Sequence, residues 1–217
     1  AATVCGLLVV FPAVAVWGQA EDSAEEIETD RDSFTPATTI TAEGRILFES
    51  AYSFIDNRSV PETHSLPEVV TRYGVNDWLE LRLGWNYEVG GAPNSISGSV
   101  NDFEDPTENE VERESQIFYG FKAALTEQDN WLPESALIVQ AGTPTSGKET
   151  ATQLITTYVF GWELANEWKW DSSLRYGYDI SEGDHFNLWA PSTVVKIPIC
   201  ENYTAHAEYF GIFSEGS

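Results

Sequence analysis

The sequence predicts an all-β protein, an antiparallel up-and-down transmembrane β-barrel, and three observations support this class. Apolar and polar residues alternate along nine segments, and no amphipathic helix of useful length lies between them. The connections alternate between short and long, as do the periplasmic turns and external loops of outer-membrane barrels. Aromatic residues make up 13% of the chain and stand near the ends of several segments, where a barrel meets the membrane interfaces.

The alternation is clearest in residues 78–89. One parity holds Leu79, Leu81, Leu83, Trp85, Tyr87 and Val89, and the other holds Glu80, Arg82, Gly84, Asn86 and Glu88. Because successive side chains of a strand point to opposite faces, this strand has one apolar face and one polar face. The apolar face suits either the core of a soluble sandwich or the lipid outside a barrel.

Eight further segments complete the predicted sheet. They cover residues 44–54, 68–75, 115–125, 135–143, 151–162, 168–180, 186–197 and 203–213. The connections at 76–77, 126–134 and 163–167 are predicted to be short, those at 144–150 and 181–185 medium, and that at 90–114 long. Single-chain bacterial barrels usually have an even number of strands, so we expect the sequence to be incomplete at its C-terminus, with about twelve strands in the complete protein.

The composition excludes some classes of partner and site. The chain has 11 Lys+Arg against 35 Asp+Glu and a formal net charge of −24, so it is not expected to neutralise the phosphates of a nucleic acid. Cys5 and Cys200 are the only cysteines in the sequence, which excludes a disulfide framework and a cysteine-based zinc site.

The chain divides into three regions. Residues 1–20 are predicted to be the rear part of an export signal, with an apolar core too short to span a bilayer as a helix and with cleavage after Ala20. The alternative for this region is a buried apolar strand. Residues 21–43 are acidic and then rich in Thr, Ser and Pro, and they predict an extended periplasmic leader. Residues 44–217 form the incomplete barrel, and the expected location is the bacterial outer membrane.

The charged residues of the polar parity are the candidate lining of a pore. They are Glu68, Arg72, Glu80, Arg82, Glu88, Lys122, Arg175, Asp179 and Glu208. Such residues either tune the selectivity of a channel or form a cross-strand network of ion pairs that fills a narrow barrel. A further hypothesis concerns Asp30, Arg31 and Asp32, which lie in the periplasmic mouth or fold back into the lumen as a partial plug.

No catalytic residue, metal site or cofactor is predicted. Residues 142–148 imitate a phosphate-binding loop, but Glu149 replaces the Ser or Thr that would hold magnesium. The acidic segment 101–114 lacks the ligand spacing of a calcium loop. The pair His64 and Ser65 has no third residue at a spacing that indicates hydrolysis.

Two blocks of sequence resemble a known bacterial family. The first runs from Thr29, Asp30, Arg31 and Phe34 of an N-terminal motif into residues 44–52, and the second covers residues 66–83. Both resemble the outer-membrane β-barrel "transporter" family labelled putative MetA-pathway of phenol degradation, although Asp32 stands where that family commonly has Pro. The resemblance implies an outer-membrane barrel with a role in the uptake of aromatic or other small hydrophobic compounds.

Three functions therefore stay open at the level of sequence. The first is an outer-membrane channel or transporter for passive uptake of small molecules, with outer-membrane lipid, lipopolysaccharide and a solute as partners. The second is a non-conducting structural or surface-interaction barrel, and the third is a soluble secreted β-sandwich. The sequence does not fix the oligomeric state.

Overall fold

The computed structural model describes residues 13–15, 28–30, 33–55, 61–91, 111–147, 150–181, 184–200 and 203–214. Their strands are β1 (Ala13–Ala15), β2 (Ile46–Ile55), β3 (Thr63–Asn76), β4 (Leu79–Gly90), β5 (Glu112–Thr126), β6 (Glu134–Ser146), β7 (Gln153–Glu163), β8 (Lys169–Ser181), β9 (Asp184–Cys200), β10 (Tyr203–Phe210) and β11 (Phe213–Ser214). A 3₁₀ turn at Ala165–Glu167 joins β7 to β8. In the described part of the chain, no helix is long and apolar enough to cross a membrane.

The nine long strands β2–β10 form a single sheet in which each strand pairs antiparallel with the next along the chain. The sheet curls into a half-barrel, so the predicted all-β, up-and-down architecture of nine strands is confirmed. The three residues of β1 lie within the predicted export signal and pair with β2, with Val14 opposite Glu49. At the other edge, β11 pairs with β9, with Phe213 opposite Trp189.

Most strand boundaries differ from the prediction by one to three residues, and three differences change a strand or a connection more clearly. β3 begins at Thr63 and not at residue 68, because the pairing shifts register between Ser65 and Glu68 and a bulge accommodates Pro67. The predicted strand 203–213 ends at Phe210, and the chain beyond it returns to β9. β8 and β9 pair as far as Ser181 opposite Asp184, so their connection, 182–183, is as short as the connection 77–78 at the other end of the sheet. The predicted alternation of short and longer connections therefore fails at 182–183.

The two faces of the sheet are reversed relative to a soluble protein. The apolar parity faces outward, with Leu83 57% exposed and Trp85 40% exposed. The polar parity faces the inside of the curl, where Arg72, Glu80 and Lys122 are at most 1% exposed. A β-sandwich buries its apolar faces between two sheets. The described residues form one sheet with its apolar face outward, so the architecture is not a sandwich.

Aromatic side chains cluster at one end of the half-barrel. We call this the short-turn end, because the connections 77–78, 127–133 and 164–168 lie there. Its exposed indole rings belong to Trp78, Trp131, Trp168 and Trp170. Trp170 stacks at a tilt on Trp162 with 5.3 Å between ring centroids, and the indole N–H of Trp162 donates to the backbone carbonyl of Trp131 over 3.2 Å.

Candidate functional site

The inside of the half-barrel holds a segment that precedes the sheet. We call residues 28–41 the inner leader; all of them except 31 and 32 are described. Phe34, Thr35, Ala37, Thr38 and Thr41 are at most 5% exposed, although this segment has no regular secondary structure. The inner leader is therefore covered by the concave face of the sheet, which agrees with the plug hypothesis for Asp30.

Asp30 is the centre of a buried cluster of charges. Its carboxylate accepts a hydrogen bond from Arg82, lies 3.4 Å from Nζ of Lys122 and lies 3.8 Å from Nε of Arg72. The three cations come from the adjacent strands β3, β4 and β5, and Arg72 and Arg82 are direct cross-strand partners. Like charges placed opposite each other repel, so this wall needs a carboxylate between them.

Two further carboxylates complete the cluster. Arg72 donates through Nη1 to Glu49 over 2.9 Å and through Nε to Glu80 over 3.0 Å. Glu80 also accepts a bond from Nη1 of Arg82 at 3.0 Å, and both the backbone N–H and the hydroxyl of Thr41 donate to it over 2.7 Å. Three cations and three carboxylates are thus assembled in the lumen, and the cluster is formally neutral.

The environment of Asp30 favours its ionised form. Burial by itself would raise the pKa of this carboxyl group, but the charges of Arg72, Lys122 and Arg82 outweigh burial and hold the pKa well below its usual range. The backbone N–H of Ala37 also donates to Asp30 over 3.0 Å, which turns the inner leader back on itself at this point.

Phe34 anchors the inner leader on the other side of the half-barrel. Its ring stacks on Phe210 of β10 at a centroid distance of 4.7 Å, and the guanidinium carbon of Arg175 lies 4.3 Å from the same centroid. The backbone N–H groups of Phe34 and Thr35 donate to the carboxylate of Glu208 over 3.0 and 2.7 Å. An aromatic ring between a second ring and a cation combines apolar contact with cation–π attraction.

The beginning of the inner leader is held at the short-turn end. Glu28 accepts a hydrogen bond from Lys169 at the start of β8, and the hydroxyl of Thr39 donates to the same carboxylate over 2.7 Å. Burial would raise the pKa of Glu28, but the hydrogen bond and charge of Lys169 lower it overall. Nearby, the hydroxyl of Thr38 donates to Glu134 of β6 over 2.7 Å.

Most of the predicted lining residues lie on the inner face. Glu68, Arg72, Glu80, Glu88, Lys122 and Arg175 are buried there, and the side chain of Arg82 is 10% exposed. Glu208 also contacts the inner leader. Asp179 lies in β8 opposite Phe186, Arg31 lies outside the described residues, and the hydroxyl of Thr29 is buried without a hydrogen-bond partner in the described part of the chain.

Sequence reasoning missed Glu49, Thr35 and Thr41 as members of this site. Glu49 lies on the predicted polar parity of β2, and that parity was the available signal. Thr35 and Thr41 gave no signal, because an extended leader has no periodicity from which a contact face can be predicted.

The phosphate-loop imitation and the acidic segment are only partly described. Residues 142–146 of the phosphate-loop imitation lie in β6, and residues 101–110 of the acidic segment lie outside the described residues. In the described ranges, no three His, Cys, Asp or Glu side chains are grouped so as to hold a metal ion.

The fold and site together define a class: a curled up-and-down β-sheet of barrel type with a peptide segment bound along its inner face. No family model, curated protein or solved structure matches the chain.

Proposed function

We propose that this protein is an outer-membrane channel for the passive uptake of small molecules, and that the inner leader restricts its lumen. The observation that carries the proposal is the reversal of the two faces of the sheet. In water, a sheet with large apolar side chains outward and buried ionised side chains inward is unfavourable. With lipid outside and water inside, both faces meet a favourable environment.

The indole cluster at the short-turn end supports the same orientation. Trp side chains prefer the interface between lipid and water, and short turns lie on the periplasmic side of bacterial barrels. Trp78, Trp131 and Trp168 would then mark the periplasmic interface, and the connection 91–111 would lie outside the cell. In this orientation the inner leader enters the lumen from the periplasm.

Part of the inner wall is apolar. The buried inward side chains of β6, β7 and β9 include Ile138, Ile155, Val159, Leu188 and Val194. Together with the resemblance to the "transporter" family, this wall supports aromatic or other small hydrophobic compounds as the transported class. The charged wall of β2–β5 faces the same lumen.

Localisation is the first experiment. The protein expressed with its native export signal should partition with the outer membrane and resist extraction by salt and carbonate. The mature chain should begin at Glu21, as N-terminal sequencing would show. Recovery from the periplasm without detergent would contradict the proposal.

A membrane also requires the edges of the sheet to be paired, because unpaired backbone groups are costly in hydrocarbon. In the described residues, β2 and β10 do not pair with each other. Native mass spectrometry of the detergent-solubilised protein would show whether a second copy takes part in closing the barrel.

Conductance separates the channel from its nearest rival, a non-conducting barrel, which the close packing of the inner leader favours. Planar bilayers containing the wild-type protein or Glu208→Ala, which removes an anchor of the inner leader, provide the comparison. If the protein is a channel, the Glu208→Ala variant should conduct and should show more open events than the wild type. A barrel that is folded and silent in both forms would support the non-conducting alternative.

A further inference from the structure

We propose that Arg72, Arg82 and Lys122 form a binding site for a small monocarboxylate, and that Asp30 occupies this site as a tethered carboxylate. The proposal concerns the ligand of the lumen, and it rests on the proposed channel function for the route by which a free solute would arrive.

The three cations are built into the wall and not into the inner leader. They occupy adjacent strands, they are at most 10% exposed, and all three approach the carboxylate of Asp30. Guanidinium and ammonium groups that converge on one point are a site for a carboxylate or phosphate. Among the six charged residues of the cluster, Asp30 alone lies outside the strands, in the inner leader.

The charges around Arg72, Arg82 and Lys122 favour a ligand with a single negative charge. Glu49 and Glu80 belong to β2 and β4, which are part of the wall, and they compensate two of the three cations. Without Asp30, the cluster of these three cations and two carboxylates would carry one net positive charge in a buried setting. A monocarboxylate restores neutrality, whereas a dicarboxylate or a phosphate dianion would leave a net negative charge.

The site also has a hydrogen-bond donor that Asp30 does not use. Nε of Arg82 is buried and has no hydrogen-bond partner in the described part of the chain, while Nη1 of the same group binds Asp30 and Glu80. A buried N–H without a partner is costly. An untethered carboxylate is free to turn and accept from this group, whereas Asp30 makes no bond to it.

Tethering explains why a free ligand would compete weakly with the wild-type chain. A segment joined by a short linker has an effective concentration of roughly millimolar or above. Removal of the Asp30 carboxylate should therefore reveal the site, and chemical rescue is the direct experiment.

The experiment uses Asp30→Ala in detergent at pH 7 and measures its melting temperature by circular dichroism. Sodium acetate is compared with sodium chloride at equal ionic strength and with acetamide, which has the same shape and no charge. We expect a saturable rise of roughly 3–6 °C at ten times the half-saturating acetate concentration. Chloride and acetamide should give no saturable rise. If the variant does not fold in chloride, acetate in the refolding buffer should raise its folded yield.

Two variants test the specificity of the rescue. Glu28→Ala also removes a carboxylate of the inner leader, but its ion-pair partner Lys169 is 25% exposed, and acetate should not rescue this variant. Adding Arg82→Gln to Asp30→Ala should weaken acetate binding at least tenfold. Equal effects of acetate, chloride and acetamide, equal rescue of Glu28→Ala, or no folded yield in acetate would each overturn the proposal. Because stability is the readout, absent rescue refutes the site and absent conductance refutes only the channel.

Discussion

Thr35 donates both its backbone N–H and its hydroxyl to one carboxylate oxygen of Glu208, each over 2.7 Å. This contact joins the inner leader to β10, at one edge of the curled sheet. Near the opposite edge, Asp30 and Thr41 join the same segment to β3, β4 and β5. The inner leader is therefore a strap across the half-barrel, and its contacts stabilise the curvature of the sheet.

The first prediction concerns this strap. Glu208→Ala leaves the backbone N–H groups of Phe34 and Thr35 without their acceptor, and a buried donor left unpaired costs about 1–3 kcal/mol. We expect the free energy of unfolding to fall by that amount in a urea titration followed by Trp fluorescence. Glu163→Ala, at an exposed end of β7, is the matched control and should change stability by less than about 0.5 kcal/mol. Equal losses in both variants would argue against the strap.

The strands could be predicted from the sequence because each has a face of one polarity. Period two fixes which residues share a face, and the parity found for Leu83 and Arg82 is the one that the structure shows. The first residues of β3 were not predicted because of Pro67. A proline has no N–H to donate to the neighbouring strand, and the bulge that accommodates it interrupts the alternation of apolar and polar residues.

The site was less predictable, because parity assigns a face and not a partner. The contact of Thr35 with Glu208 joins positions 173 residues apart, and nothing local to either residue indicates it. One signal was present: Arg72 and Arg82 stand opposite each other on an inward face. Two like charges in that position need nearby carboxylates, and both Glu80 and the acidic leader supply one.

A second prediction tests whether the outward face meets lipid. Leu83→Arg, at a position 57% exposed, should cost about 2–4 kcal/mol in lipid vesicles, because a charge near the membrane midplane loses its hydration. In water the same exposed change would cost less than about 0.5 kcal/mol. Val111→Arg, outside the strands and 55% exposed, is the control for adding an arginine. Indistinguishable stabilities of the two variants in vesicles would count against a membrane-facing surface.

The third prediction concerns acid. The pKa of Asp30 lies below its ordinary value, because the charges of Arg72, Lys122 and Arg82 outweigh the burial that would raise it. A group with a depressed folded pKa stabilises the fold fully above its unfolded pKa of about 3.9, and this stabilisation is lost as the pH falls toward the folded pKa.

The measurement is the difference in unfolding free energy between the wild type and Asp30→Asn from pH 7 to pH 2.5. We expect this difference to be constant down to about pH 5 and to fall by about 1.4 kcal/mol per pH unit below about pH 3.9. Taking the difference removes the titration of the carboxyl groups that do not interact with Asp30. A difference that disappears between pH 7 and pH 5, or one that stays constant throughout, would contradict the assigned ion pairs.

The last prediction concerns the point where the chain passes from the inner leader into β2. A Cβ atom on Gly74 would lie 2.1 Å from the carbonyl oxygen of Ala42 and 2.3 Å from that of Thr41, so Gly74→Ala forces the two backbones apart. Thr41 should then lose its two bonds to Glu80, and hydrogen exchange of the Thr41 amide should be faster than in the wild type.

Gly44→Asn is the matched control for this clash. Gly44 has φ +73° and no atom within 4 Å of the position that a Cβ would take, and asparagine tolerates that backbone conformation. The control should therefore leave the exchange rate of Thr41 unchanged. If Gly74→Ala also left it unchanged, the contact between the inner leader and β3 would not hold Thr41 in place. Because this contact directs the leader into the lumen and not away from it, the same variant should reduce the restriction of any channel that the half-barrel forms.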